Sequence, residues 1–304
     1  MSSIDELLQP GPRYDARPPL DAIRCCLFDV DNTLAGNNSP SLPTDRFLTA
    51  VKRANGQVHL GLATARSWQK VAHIIDSGLN GLSILSNGAQ IYDSQSRQII
   101  IELALDTNVA CDIVRALQHR DVDHWIQDSG QDHFWLSEKS QDNSLGSYAH
   151  ARNIWQPAEG ANRELVTAYQ PRKPFVIVAH DVRTDLLQSL AEMGDTYQQQ
   201  HVTSLVAHEH PQFDGSKTYD VFFLDERANK QTALQTVAET LGISTDQIMA
   251  VGDGLNDTVL VARAGVGVAM GNAVEQTKRV ATFIAPDVQH DGAAIALEQL
   301  LRHL

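Results

Sequence analysis

The chain has 304 residues, 42% of them hydrophobic, and a formal net charge of −13 from 37 acidic against 24 basic side chains. That length supplies core for one large or two moderate domains, and the acidic balance, with no basic run longer than a pair such as Arg172-Lys173, argues against a general nucleic-acid binder. Three cysteines (Cys25, Cys26 and Cys111) give no disulfide framework, and no window approaches the roughly 20 apolar residues of a membrane span, so a cytoplasmic protein without membrane partners is expected.

Met1 to Pro19 carries four prolines, Asp5 and Glu6 and no apolar stretch. It reads as a loose arm, residues 1–20, and not as a signal peptide. Ala22 to Val30 is then an apolar run interrupted only by Arg24, the pattern of a buried parallel strand. It ends in two carboxylates two positions apart, Asp29 and Asp31, with Thr33 just beyond. Thr44 caps a helix to Ala54, Gln57 to Ala63 is a second strand ending at Thr64, and Ser67 caps a helix to about Ser77. Leu82 to Leu85 is a short strand closed by Ser86-Asn87-Gly88. Strands alternating with helices of this length predict a parallel α/β sheet with helices on both faces.

The pattern then changes to hairpins. Ile91–Asp93 with Gln98–Leu103, and Val122–Gln127 with His133–Ser137, read as two of them, separated by a helix over Thr107–His119. Residues 142–170 are polar and poorly periodic. Phe175–Ala179, Val202–Ala207 and Tyr219–Leu224 read as strands and Arg183–Met193 as a helix, which makes an α+β segment inserted into the parallel frame. That frame resumes with a helix over Gln231–Leu241 and the strand Gln247–Val251, which ends in Gly252-Asp253-Gly254-Leu255-Asn256-Asp257. A helix to Ala264, the strand Val266–Met270, and a final helix, strand and helix (Ala273–Val280, Thr282–Ala285, Ala293–Leu301) complete the chain.

Four strands thus end in polar residues at one expected sheet edge: Asp29/Asp31, Thr64, Asn87 and Asp253/Asp257. Carboxyl ends of strands are where ligands bind in open α/β sheets. Asp253 and Asp257, four apart, can both point back at that edge, and hard oxygen donors with room for water favour Mg²⁺. Lys230 supplies one fixed cation among these acids.

These residues resemble the haloacid dehalogenase superfamily of phosphotransferases, and within it the Cof-type subfamily. Asp29-Val30-Asp31-Asn32-Thr33 is similar to its first motif, Ala63-Thr64-Ala65-Arg66 to the second, Lys230 in Asn-Lys-Gln-Thr-Ala-Leu to the third, and Gly252-Asp253 through Asn256-Asp257 to the fourth. Ser86-Asn87-Gly88-Ala89-Gln90-Ile91-Tyr92-Asp93 and Ala269-Met270-Gly271-Asn272-Ala273 are similar to Cof-type signatures. Asn32 and Ala65 stand where glycine is commoner, and the arm has no counterpart.

The resemblance implies a Rossmann-like catalytic core (residues 21–88 and 226–304) and an inserted α+β cap (89–225). It implies an Mg²⁺-dependent phosphatase of small phosphorylated metabolites, sugar phosphates foremost. Asp29 would be the nucleophile that forms an aspartyl phosphate, and Asp31 the general acid and base. Thr64, Lys230 and Asn256 would hold the phosphoryl group. The metal would be held by Asp29, the Asp31 backbone carbonyl, Asp253 and Asp257. The polar stretches 128–132 and 208–214 are expected to face the leaving group. A phosphomutase on the same fold and a non-catalytic sensor of a phosphorylated metabolite are the competing readings; the sensor reading expects loss of Asp29, Asp31 or Lys230, and all three are present.

Three weaker signals point elsewhere. Gly265 to Gly271 has the wrong spacing for a dinucleotide loop and falls on a strand. His208 and His210 could share a strand face but lack a third ligand, so a surface or substrate-facing role is expected. Trp125, Phe134 and Trp135 are expected in the core of the insertion, with stacking on a substrate ring as the alternative.

Overall fold

The apolar run ahead of Asp29 forms the strand β2 (Cys25–Phe28), every residue of which is buried. The computed structural model describes residues 8–36, 42–129, 133–136, 162–165, 172–211 and 216–304. In chain order the further strands of the main sheet are β1 (Gln9–Pro10), β3 (His59–Leu62), β13 (Ile248–Gly252), β14 (Val266–Ala269) and β15 (Phe283–Ile284). They run in the order β1-β15-β14-β13-β2-β3, all parallel except β1 against β15. The chain leaves β2 for β3 on one side and later returns as β13 on the other. That reversal puts a topological switch point, where the flanking connections diverge and leave a crevice, at the carboxyl end of β2.

Period-two alternation along β2 divides the core. Cys26 and Phe28 join a cluster with α1 (Asp45–Ala54), α2 (Trp68–Ile75) and α8 (Gly292–Leu300). Cys25 and Leu27 join another with α5 (Lys230–Leu241) and α6 (Thr258–Arg263). Helices therefore cover both faces. The expected cap of α1 is present, Thr44 accepting from the Phe47 amide, whereas Ser67 precedes α2 without a side-chain capping bond.

The sequence pattern puts the strand β4 (Leu82–Leu85) in the main sheet. It instead pairs antiparallel with β5 (Gln90–Asp93), and with β6 (Gln98–Glu102) the two form a separate three-stranded sheet. Beside β3 it keeps parallel contacts short of a full ladder: the bridge Ala63 to Ile84, backbone bonds from the Gly81 amide to the Leu60 carbonyl and from the Thr64 amide to the Ile84 carbonyl, and the Ser83 hydroxyl, which accepts from the Leu62 amide. Residues 89–101, expected in the insertion, group with the unit that holds the main sheet, where Ile91 packs among Leu27, Ile84 and Leu234. The arm is also docked from Leu8 onward, with Gly11 and Arg13 donating backbone bonds to Thr282 and Ala281.

The described residues of Met1–Ile101 and Asn229–Leu304 make one compact unit and those of Glu102–Ala228 another. The second unit has a six-stranded sheet of its own, β11-β12-β10-β7-β8-β9, from β7 (Asp123–Asp128), β8 (His133–Leu136), β9 (Asn162–Leu165), β10 (Pro174–Arg183), β11 (Val202–Pro211) and β12 (Lys217–Asp225). It is antiparallel except between β8 and β9. The helices α3 (Thr107–His119) and α4 (Thr184–Thr196) pack on it around Ile113, Ile126, Ile177, Leu190 and Phe223. Trp125 is buried outside that cluster, its ring 5.3 Å from that of His180; the side chains of Phe134, Trp135, His208 and His210, and most of residues 142–170, lie outside what is described. The short α7 (Glu275–Lys278) completes the first unit. No helix among the described residues is long and apolar enough to cross a membrane.

Candidate active site

Two strand ends bring the acids together. β2 delivers Asp29 directly, its amide still bonded to the Val251 carbonyl of β13. Beyond it the backbone turns at once: the amides of Leu34 and Ala35 both reach back to the Val30 carbonyl, and Asn32 sits at φ 56°. Asparagine is among the few non-glycine residues that take this left-handed conformation readily, so the departure from glycine at 32 is geometrically accommodated. On β13, Gly252 runs so close to Asp257 that an added Cβ would fall 2.6 Å from its side chain. Asp257 then closes the loop, one oxygen accepting from the amides of Asp253 (3.1 Å) and Gly254 (2.9 Å).

Among the described residues, carboxylate oxygens of Asp29, Asp253 and Asp257 lie within 4.8 Å of one another. Lys230 bridges two of the three, its Nζ 2.9 Å from Asp29 Oδ1 and 2.5 Å from Asp257 Oδ1. It is the first residue of α5, whose Asn229 cap accepts from the Thr232 amide and so fixes where the helix begins. Asp253 receives bonds from the Thr33 hydroxyl (3.2 Å) and the Asn32 side chain.

One buried lysine does not neutralise three buried acids. Burial first, then Asp257, pushes the Asp29 carboxyl well above its ordinary range against the opposing pull of Lys230. Burial and Asp257 likewise push Asp253 up to about 7. Burial works against the charge on Lys230, but Asp257 and Asp29 outweigh it and hold the ammonium form. Clustered carboxylates in a low-dielectric setting call for a second cation, and an all-oxygen donor set of this kind suits a hard divalent ion such as Mg²⁺.

The remaining expected residues converge on the same edge. Asp31 is held by Arg66 in a two-pronged contact, Nε at 3.0 Å and the terminal nitrogen at 2.5 Å. The Thr64 hydroxyl accepts from the Arg66 amide at 3.1 Å and so shapes the turn that aims this guanidinium. Asn256 donates to the Asn87 side chain at 3.3 Å. Arg66, Asn87, Thr33 and Asn32 carried no assigned role in the sequence reading. All four lie inside the quoted motifs, which was the available signal. Asn87 is buried within a run of three left-handed residues, Ser86, Asn87 and Gly88 (φ 50°, 56° and 101°). Such strain concentrates at functional sites. Asn272, in another quoted motif, clamps the turn from outside by donating to the Asn32 carbonyl at 2.9 Å.

Of the weaker signals, the glycines at 265 and 267 are structural. Each lies where a Cβ would strike a backbone carbonyl, that of Asp246 or of Val261.

Comparison with known proteins agrees with this geometry. The family profile of haloacid dehalogenase-like hydrolases matches residues 26–297. The chain is 26% identical over 281 residues to a 5-amino-6-(5-phospho-D-ribitylamino)uracil phosphatase of Bacillus subtilis (strain 168), covering 90% of this chain and 94% of that one. It is 25% identical over 256 residues to an HMP-PP phosphatase of Cronobacter sakazakii, covering 82% and 84%. Its fold matches the crystal structure of a haloacid dehalogenase-like hydrolase from Bacteroides thetaiotaomicron with a TM-score of 0.72 at 21% identity, over 91% of this chain and 99% of that one.

Proposed function

The chain belongs to the haloacid dehalogenase-like hydrolases and is a phosphoric monoester hydrolase, and on that premise we propose that it dephosphorylates small phosphorylated metabolites, sugar phosphates foremost, in an Mg²⁺-dependent reaction through an aspartyl phosphate on Asp29. The observation that carries this reading is the convergence of Asp29, Asp253 and Asp257 on one point beside Lys230, at the switch point of a parallel sheet. The two curated relatives named above are phosphatases of a ribitylaminouracil phosphate and of HMP-PP, which supports a small substrate.

Asp29 and Asp253 would hold the ion together with the Asp31 carbonyl. Both Asp257 oxygens are engaged, one by Lys230 and one by two amides, which favours a supporting place for it beside the ion. When bound, Mg²⁺ supplies positive charge against the phosphoryl oxygens and keeps Asp29 ionised. Asp29 then attacks phosphorus, dividing one hard displacement into two easier ones. Asp31 gives a proton to the departing oxygen and later takes one from the water that cleaves the intermediate. Lys230, Thr64 and Asn256 offset the charge that builds on the phosphoryl group.

The test is Asp29→Asn, which retains size and fold but cannot attack. Phosphate release from a panel of sugar phosphates, with Mg²⁺ and with EDTA, should vanish in the variant and depend on Mg²⁺ in the wild type. EDTA-resistant turnover by the variant would sink the mechanism.

A further inference from the structure

The family profile begins at residue 26, yet the segment before it is bonded to the elements that carry the acidic loop. Arg13 is the centre of that contact. Its guanidinium donates to the carbonyls of Val261 (3.0 Å), Ala264 (3.3 Å) and Val280 (3.4 Å). The first two belong to the C-terminal turn of α6, where carbonyls lack helical partners and carry the negative end of the helix dipole. At its other end this six-residue helix continues without a break from the turn Leu255–Asp257. The third carbonyl ends the segment of α7, which grips the same loop: the Val274 amide donates to the Asp253 carbonyl, and the buried Thr277 hydroxyl donates to the Gly254 carbonyl while pairing with Thr258 at 2.7 Å.

Building on the functional reading above, we infer that Arg13 is a positioning residue for the metal-binding loop, and that the N-terminal arm is part of the active-site scaffold. One planar cation ties together the far ends of the two short segments whose near ends hold Asp253, Gly254 and Asp257. Short helices have little stability of their own, and packed interiors transmit small displacements. Loss of the tie therefore reaches the carboxylates. The arm supplies its own internal control. Arg17 lies 3.9 Å over the Tyr14 ring and 5.6 Å from that of Phe283, and its guanidinium bonds fall on Tyr14. It stabilises the docked arm without holding α6.

The experiment compares wild type with Arg13→Ala, Arg13→Lys and Arg17→Ala. It reads Mg²⁺ binding by calorimetry and by the Mg²⁺-induced rise in Tm, and separately kcat and KM for a sugar phosphate. Arg13→Ala should weaken Mg²⁺ binding by about 3- to 10-fold, below the roughly 10- to 100-fold typical of residues bonded directly to ligands. It should lower kcat with KM little changed. Arg13→Lys, which keeps the charge but not the fork, should fall between, and Arg17→Ala should lower Tm while leaving the Mg²⁺ affinity alone. Wild-type Mg²⁺ affinity in a folded Arg13→Ala chain, or an equal loss in Arg17→Ala, would overturn the inference. Wild-type chain that binds Mg²⁺ but releases no phosphate would overturn the functional reading instead.

Discussion

Asp31 and Arg66 pose the sharpest question at the level of single residues. Both oxygens of Asp31 face a guanidinium that is itself 7% exposed, so a planar fork orients the carboxylate. On the proposed reading Asp31 delivers a proton to the leaving oxygen, for which it has to lie within hydrogen-bond reach, and the Arg66 fork orients its carboxylate. Asp31→Asn should lower kcat on an alkyl phosphate by roughly 10²–10⁴-fold, the usual worth of general acid–base catalysis. The loss in single-turnover phosphoenzyme formation should be smaller for p-nitrophenyl phosphate, whose leaving group needs little protonation. Arg66→Gln should lower kcat on the alkyl substrate by about tenfold, or ~1.4 kcal/mol, and the two losses should not add, since the second residue acts through the first. Additive losses in the double variant would show that Arg66 serves the reaction independently of Asp31.

At the level of elements, what was legible in the sequence is what depends on local pattern. The helices over Thr107–His119 and 45–54, the strand Leu82–Leu85, and the polar strand ends Asp29, Thr64 and Asp253 follow from apolar period, capping residues and abrupt breaks. What was missed depends on partners distant in sequence. β9 is polar and joins the sheet by parallel pairing with β8, and the contact of Arg66 with Asp31 spans 35 residues. Gly88 shows the same long reach. It has φ 101°, and a Cβ there would stand 2.6–2.9 Å from the backbone of Asn229, the residue before Lys230. Gly88→Ala should therefore cost about 2–4 kcal/mol from strain and overpacking together, and should lower kcat by displacing Lys230. Gly242→Ala, also left-handed at φ 67° but facing open space, should cost about 1 kcal/mol and leave kcat unchanged. Equal denaturant midpoints for the two variants would show that the close approach at Gly88 carries no strain.

For the whole molecule, the acidic cluster couples stability to pH and, on the proposed reading, to Mg²⁺. Asp29 and Asp253 have carboxyls raised by burial and by Asp257, Asp253 to about 7, against an unfolded value of ~3.9. A raised acid holds its proton more tightly folded than unfolded. Its stabilising contribution is complete below the unfolded pKa and is lost as pH rises through the folded one. In EDTA, Tm should therefore fall between about pH 5 and pH 8, by an amount reflecting a few kcal/mol at most from Asp253. The net charge of −13 adds self-repulsion in the same direction. So does His180, where burial lowers the pKa but the Asp220 carboxylate at 2.5 Å, with Asp181 and Asp123, raises it more. On the proposed reading Mg²⁺ separates these contributions, because it would replace protons at the cluster and leave His180 untouched. Binding to the folded state adds stability as RT ln(1 + [Mg²⁺]/Kd), and Kd tightens as the carboxylates ionise. The Mg²⁺-induced rise in Tm should thus be larger at pH 8 than at pH 5.5, and Asp253→Asn should remove most of the difference. Thermal melts at matched ionic strength check this. A rise in Tm that is the same at both pH values would mean that the ion does not bind at these carboxylates.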